Sequence, residues 1–496
     1  MVELYDFKVL IPEFTLAILA MLSLLWGAFA KPADAFRQVF VLAMISLAVA
    51  FYAVIQVHVL HNAVRPDYVG FAFNNLFRVD AFATVAKCLI LVAAGFSMIL
   101  VPRFFAQNDG ARFEVFVLIQ LSVLGMMCMV SANNFITLYA ALELQSLALY
   151  VLTTMQSQSS RATEAGLKYF VLGALSSGLL LFGISLVYGT TGHIDFISVA
   201  TILTGQDWQQ NLGLLTGLVL IVIGLAFKVS AVPFHMWTPD VYEGAPTPIT
   251  AFLSVAPKMA AMALIVRVLG TPFGSHPEMW QQIIVVLAGA SMLLGSFAAL
   301  RQTNIKRLMA YSSIGHMGFI LMGLAAATPE GVRSLVAYMG IYLVMSVAAF
   351  AGILAMQRRG QNVEAIGDLA GLGKTQPVMA AAWLVVLFSM AGIPPLAGFF
   401  AKLYVILAAV KAGLIPLAVI AVLSSVVAAY YYLNIIKIMY FDSQDDALDR
   451  HPPLEYRYLL VGGAAVLALF LVLPDWWLNW SAHAAGILYG TSPIGL

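Results

Sequence analysis

The chain is a succession of apolar runs, each about twenty residues long and nearly free of charge. At about 1.5 Å of rise per residue, a helix of that length matches the hydrocarbon thickness of a bilayer. Inside that layer the backbone finds no water to bond, so it must satisfy its own amides by forming helix. The runs lie at about 9–29, 38–60, 80–101, 114–131, 135–155, 163–188, 213–232, 247–270, 281–299, 304–326, 331–356, 377–411, 415–440 and 456–474. They amount to about fourteen crossings. Only 10% of the residues are charged and 62% are hydrophobic, whereas a soluble domain carries roughly one-quarter charged residues. The expected fold class is an all-α polytopic membrane protein. The first run lacks a basic leader and a small-residue cleavage site, so it reads as retained. Cys88 and Cys128 fall inside runs and read as small packing residues.

Basic residues in loops tend to stay cytoplasmic, which sets orientation. One set of alternate loops carries Lys31, Arg37, Arg103, Arg112, Arg161, Arg301, Lys306, Arg307, Arg358, Arg359, Lys374, Arg450 and Arg457. The other, with the N-terminus, carries Lys8, Arg65, Arg78, Arg333 and Lys411, with Arg267 near a helix end. This asymmetry agrees with an even number of crossings and puts both termini on the periplasmic side.

Lys228, Lys258, Lys402 and Glu143 lie deep within these apolar runs. An ionisable side chain at the centre of a membrane helix costs about 2.5–3.5 kcal/mol on the insertion scale. Lys437 lies near a helix end and can snorkel, and Lys168 is only about 9 Å in from the cytoplasmic side. Glu143, Lys228 and Lys258 are each on the order of 14–22 Å along their helices from the nearest start, too deep for that. Two readings stand. Glu143 and one lysine form an inert ion pair that fixes packing, or the set moves protons. Lysines outnumber the acid, which favours the second. Burial disfavours the charged form of either group and proximity favours the charged form of both. Moving the acid relative to its partner would therefore switch a lysine between holding and releasing a proton.

Two of these runs are interrupted, and each interruption lies beside one of the lysines. In the seventh, Pro233 follows Lys228 by five residues. In the twelfth, Gly392-Ile393-Pro394-Pro395-Leu396-Ala397-Gly398 divides an overlong apolar stretch just ahead of Lys402. Proline lacks a donor and clashes with the preceding turn, so both helices should open there. Such openings are either plain kinks or the exposed backbone of an ion path.

The run His235-Met236-Trp237-Thr238-Pro239-Asp240-Val241-Tyr242-Glu243-Gly244-Ala245-Pro246-Thr247-Pro248, leading to Leu253-Ser254 and Lys258, carries a family resemblance. It resembles the antiporter-like membrane subunits of respiratory complex I and of Mrp-type cation/proton antiporters. The segment from Gly392 to Lys402 is similar to one branch of the complex I subunits. A second branch usually has glutamate near that lysine, and a third is longer, with a C-terminal helical extension.

The resemblance implies a coupled pair at Glu143 and Lys228, a relay at Lys258 and an exit side at Lys402. It further implies two inverted five-helix repeats, at residues 113–270 and 278–441, set between three N-terminal helices at 1–112 and a last helix and tail at 455–496. Neighbouring M-like and K-like subunits, membrane lipids, protons and water are the implied partners. NADH, FMN, iron–sulfur clusters and quinone would belong to other subunits, with no cofactor on this chain. An antiporter subunit working without NADH or quinone is the alternative, and a scaffold whose lysines only fix packing is a third reading.

Several other residues are open. Lys168 resembles a family lysine that tunes the pair, or is an interfacial anchor. His235, just past the first break, and His316, amid Tyr311, Ser312 and Ser313, are proton shuttles or packing residues. Asp240 and Glu243 read as loop residues shaping a turn. Lys87, seven residues after Asp80, has no evident role and is assigned to a partner or a lipid headgroup.

Gly371-Leu372-Gly373-Lys374-Thr375 superficially suggests a phosphate loop, but Asp368 stands where the first glycine is required. No dinucleotide fingerprint, zinc-helix motif or cysteine cluster occurs, so nicotinamide, flavin, zinc and iron–sulfur binding are not expected here. A net charge of +1 and the lack of a basic domain argue against nucleic acid.

Overall fold

Helix is the main way this chain satisfies its backbone, and the computed structural model shows it in twenty-one α-helical segments among the described residues. Those residues are 4–64, 70–107, 112–156, 158–205, 208, 211–443, 448–450, 452–470 and 474–488. Arg65, used above for orientation, and the last residues of the tail lie outside them.

In chain order the helices are α1 (Leu4–Val9), α2 (Ile11–Phe29), α3 (Pro32–Val64), α4 (Ala81–Ile99), α5 (Val101–Gln107), α6 (Glu114–Val130) and α7 (Phe135–Thr153). They continue with α8 (Ser160–Thr191), α9 (Phe196–Gly205), α10 (Leu212–Lys228), α11 (Trp237–Gly244), α12 (Thr247–Gly270), α13 (Gln281–Ala299) and α14 (Ile305–Ala325). The last are α15 (Pro329–Leu354), α16 (Leu372–Thr375), α17 (Pro377–Ala391), α18 (Ala397–Lys411), α19 (Ile415–Phe441), α20 (Leu454–Leu469) and α21 (Pro474–Leu488). Two antiparallel hairpins, β1 (Gly70–Ala72) with β2 (Phe77–Val79) and β3 (Gln357–Arg358) with β4 (Gln361–Asn362), and two 3-10 turns at Pro277–Met279 and Ile366–Leu369 complete the described elements.

Among the described residues, ten helices are long and apolar enough to cross a bilayer, and each coincides with an expected run. The other four runs form shorter helices, at α6, α10, α17 with α18, and α20. The segment after the last run, expected as tail, is helical as α21 and packs on α4 and α15.

Two stretches of the chain start in the same way. The Asn134 side chain caps α7 by accepting from the amide of Ile136 at 2.8 Å, and Asn304 caps α14 by accepting from Lys306 at 2.9 Å. Each entry is pinned by a distant carbonyl: Phe135 donates to Ile194 and Ile305 to Glu364. Gly125 lets α6 approach α7, because a Cβ there would lie 2.6 Å from the Gln145 amide nitrogen. Gly295 does the same for α13 and α14, where a Cβ would lie 2.6 Å from the Gly315 amide nitrogen.

At the centre is α12, buried along its whole length apart from its last residue and packed against α4, α6, α10 and α15. Its Arg267 lies in the last turn, as expected, and is fully buried. The guanidinium donates to Asp80 at 2.7 and 2.9 Å and to the Val130 carbonyl at 3.1 Å. Asp80 also caps α4 by accepting from Ala83 and meets Arg78 at 2.7 Å. One carboxylate thereby ties three elements together.

Lys87, left without a partner by the sequence, forms a buried ion pair with Glu13 of α2 at 2.5 Å. Neither a partner subunit nor a headgroup is needed to account for it.

Removing one member of a buried pair costs about 3–5 kcal/mol because the other charge is left uncompensated. Asp80→Asn should therefore lower the thermal unfolding temperature of the detergent-solubilised protein clearly, with Asp80→Glu recovering part of the loss. An unchanged melting curve for Asp80→Asn would refute the tying role.

Candidate functional site

The first break begins directly after Lys228, the last residue of α10, earlier than the position of Pro233 suggested. Between α10 and α11 the backbone is irregular, with Ser230 in the left-handed region at φ 63°. Its polar groups still find partners. The Val232 amide donates to Ser291 Oγ at 2.9 Å, and the Trp237 indole donates to the Phe227 carbonyl at 2.9 Å. Thr238 Oγ1 donates to Ser230 Oγ at 2.6 Å.

The second break separates α17 from α18. Gly392 takes φ 85°, and a Cβ there would come within 2.9 Å of Lys402 Cδ, so glycine answers both the backbone and the lysine. The Gly398 amide donates to Ser389 Oγ at 3.0 Å.

Each of the three central lysines lies at or near one of these openings or on the core helix between them. Lys228 is 6% exposed, and its Nζ donates to Ser146 Oγ of α7 at 2.8 Å. Lys258, on α12 and 1% exposed, donates to Ser313 Oγ of α14 at 2.6 Å, with the Tyr242 ring centroid 5.1 Å away. Ser313 continues to Tyr342 Oη at 2.7 Å, which donates to the Ser254 carbonyl at 3.2 Å. Lys402 is 5% exposed and donates to the Ala391 carbonyl, the C-terminal end of α17, at 2.9 Å. A cation there also meets the negative end of the helix dipole.

His316 Nδ1 lies 2.7 Å from Tyr338 Oη, and along α14 it stands between Ser313, which receives the Lys258 ammonium, and Phe319, whose ring centroid is 5.1 Å from Lys402 Nζ. His316 is thus placed between the second and third lysines.

Glu143 is half-buried on α7, and the resemblance implied that it pairs with Lys228. The structure puts the Lys228 ammonium on Ser146, one helical turn further on, and leaves Glu143 Oε1 buried without a hydrogen-bond partner among the described residues. Beside Glu143 on α7, Leu144, Leu147 and Val151 are exposed. His235, in the first break, is half-buried, and its Nδ1 is likewise without a partner among the described residues.

Lys168 belongs to a different cluster. It is 42% exposed at its side chain and pairs with Asp240 and Glu164, each at 2.8 Å. Asp240 and Glu243, expected in a loop, are on helix α11, since a proline within a first turn is compatible with helix. Arg307 bridges both carboxylates at 2.9 Å, and Arg161 adds a contact to Glu243 at 2.5 Å. Partial burial raises the Asp240 proton affinity, but the bonds from Lys168 and Arg307 outweigh it and hold the carboxyl below its usual range. Lys306, assigned to a loop, is buried at the start of α14 between Glu364 at 3.0 Å and the Ala245 carbonyl at 2.9 Å.

Ser146, Tyr342 and Tyr338 carry no mark of their own in the sequence, and Ser313 stands out there only as a neighbour of His316. Ser146 stands three residues after Glu143, and Ser313 three before His316, so both fall on helix faces already marked by an ionisable residue. Tyr338 and Tyr342 are four apart on α15, another spacing that shares one face.

Two interrupted helices, each next to a buried lysine, define the fold as that of a polytopic helical membrane protein with broken helices. Residues 132–428 match the family described as NADH:quinone oxidoreductase/Mrp antiporter, TM. A subunit N of NADH-quinone oxidoreductase from Rhodospirillum rubrum is 52% identical over 465 residues, covering 94% of each chain. That of Paramagnetospirillum magneticum is 47% identical over 492 residues, covering 99% of each.

A chain of respiratory complex I from Thermus thermophilus with bound aureothin aligns with TM-score 0.79 and 30% identity, over 95% of this chain and all of that one. A chain of the Mrp complex from Dietzia sp. shares the fold, with TM-score 0.84 and 22% identity over 97% and 98% of the two chains. The chain belongs to the antiporter-like membrane subunits, and within them to the subunit N family of NADH-quinone oxidoreductase.

A hydrogen bond to a charged group contributes about 1.5–3 kcal/mol. Ser146→Ala, which leaves the Lys228 ammonium without its acceptor, should lower the rate of proton pumping by the assembled complex, while Ser146→Thr should retain most of it. Proton-sensitive dye measurements in vesicles would check this, and normal pumping by Ser146→Ala would show that the contact is dispensable.

Proposed function

We propose that this chain, as subunit N within complex I, moves protons across the bacterial inner membrane through Glu143, Lys228, Lys258, His316 and Lys402, driven by quinone reduction elsewhere in the assembly. The observation that carries the reading is the nature of the acceptors. Lys228, Lys258 and Lys402 donate to two serine hydroxyls and a carbonyl, none of them a carboxylate. An ammonium held by a neutral acceptor can lose its proton without stranding a buried anion, which an ion-paired lysine cannot do.

In this reading Glu143 is the input. Its unpartnered oxygen and the exposed apolar residues around it suit a face that meets a neighbouring K-like or M-like subunit, whose charge would bias the acid toward or away from Lys228. A proton released at Lys228 passes to Lys258, and His316 takes it on toward Lys402 because an imidazole can both accept and donate. Lys168, anchored to Asp240, and His235, in the first break, adjust the electrostatics and hydration at the cytoplasmic end. Water supplies the links that the side chains leave open.

The fold is read as about fourteen crossings with both termini on the periplasmic side, and residues 113–270 and 278–441 as two inverted repeats. The matched entries at Asn134 and Asn304, and the matched close approaches at Gly125 and Gly295, support that division. An antiporter subunit working without NADH or quinone has only the shared fold in its favour.

Arginine keeps a positive charge but does not release its proton in proteins. Lys402→Arg and Lys258→Ala should both sharply reduce protons pumped per quinone reduced, measured together on purified complex in proteoliposomes. Full pumping by Lys402→Arg would exclude Lys402 as a carrier and leave it a packing charge.

A further inference from the structure

Between α3, α4, α15, α20 and α21 lies a cavity of about 440 Å³. Among the described residues no charged side chain lines it. Its walls include Val85 and Val92 from α4, Val344 from α15, Phe470 just past the end of α20, and Trp477 from α21. Trp477 uses its indole nitrogen on the Ala337 carbonyl at 3.0 Å, so the polar edge of the ring is spent within the wall. With nothing polar to hold it, water gains no hydrogen bonds there.

The cavity opens outward. Val466 and Leu469 on its rim are 53% and 57% exposed, and Trp480, also on the rim, is 36% exposed. In a membrane-spanning chain those outward residues face hydrocarbon, and tryptophan is favoured where chain meets headgroup. A methylene has a volume of the order of water's ~30 Å³ share of the liquid, so the space is about right for one long acyl chain. An aqueous ligand would need polar anchors that the lining lacks, and an empty apolar space of this size would forfeit packing contacts along every wall.

Ala397, which is buried, also lines the cavity. That residue opens α18, directly after the break and one position before Gly398, whose amide is held by Ser389. The space therefore runs from the lipid-facing surface to the rear of the opening in which Lys402 sits.

We propose that one acyl chain of a membrane phospholipid fills this cavity, its methyl end against Ala397, and seals the second helix break from the side of the bilayer. A chain in that position excludes water from the apolar rear of the break, so protonation changes at Lys402 are confined to the polar interior.

The test uses the assembled complex in liposomes containing a phospholipid with a photoreactive diazirine near the end of one acyl chain. After illumination, peptides of α4, α15 and α20 that line the cavity should carry the label. Val344→Phe, which extends a wall residue into the space, should cut that labelling about tenfold, equivalent to ~1.4 kcal/mol of lost binding. Labelling of the outward face of α19, at Val422 and Val426, should not change. Val92→Phe, from the opposite wall, repeats the measurement in case one substitution disturbs folding. Cavity labelling that persists in both variants would overturn the proposal, and so would preferential labelling of the same peptides by a photoreactive long-tailed quinone.

Discussion

Within the bilayer a backbone amide that loses its helical partner must find another, because no solvent will serve. The two interruptions in this chain exist under that requirement, and much of the interior is arranged to meet it. Ser291 and Trp237 serve the first break, and Ser389 serves the second. At the end of α17 the partner is a side chain that also carries charge, since the Lys402 ammonium takes the Ala391 carbonyl. The break gives the lysine an acceptor, and the lysine gives the break a donor. Neither would be stable in hydrocarbon alone.

The buried and half-buried cations divide by what holds them. Lys87, Lys168, Lys306 and Arg267 each meet a carboxylate. These pairs fasten α2 to α4, α8 to α11, α14 to the segment before α16, and α12 to the entry of α4. The three central lysines meet hydroxyl and carbonyl oxygens. A carboxylate fixes a neighbouring cation in its charged state, whereas a serine tolerates the charged or the neutral amine with little rearrangement. Lysine thus serves as a fastener where a carboxylate holds it and as an adaptable group where a neutral oxygen does, so the partner and not the position along the helix decides which.

What could be read from the sequence follows from the range of the signal. The apolar runs, the lysines within them and the prolines beside them are local, and each had only to be noticed. The hydroxyl partners were not legible because serine and tyrosine are common in membrane helices, and only the packing of α7 on α10, or of α14 on α12, decides which ones face a lysine. Glu13 stands just inside the first run, where nothing local marks it; its pairing with Lys87 depends on how α2 lies against α4. Asp240 and Glu243 were misread because Pro239 and Gly244 mark a turn, yet a proline in a first turn and a glycine at a last residue also bound a short helix. The coupling of Glu143 to Lys228 came from resemblance alone, and the hydrogen bond of the lysine goes to Ser146, one turn further along α7.

Ser291 belongs to α13, yet its hydroxyl receives the Val232 amide inside the break that follows α10. The helix it sits on packs along α14, which supplies Ser313 to Lys258 and carries His316. The first break is thereby bonded to α13, and α13 lies along the helix that presents the Lys258 acceptor. That one hydrogen bond joins the first break to the helix pair that holds the Lys258 acceptor, so the opening beside Lys228 and the middle of the molecule belong to one connected framework.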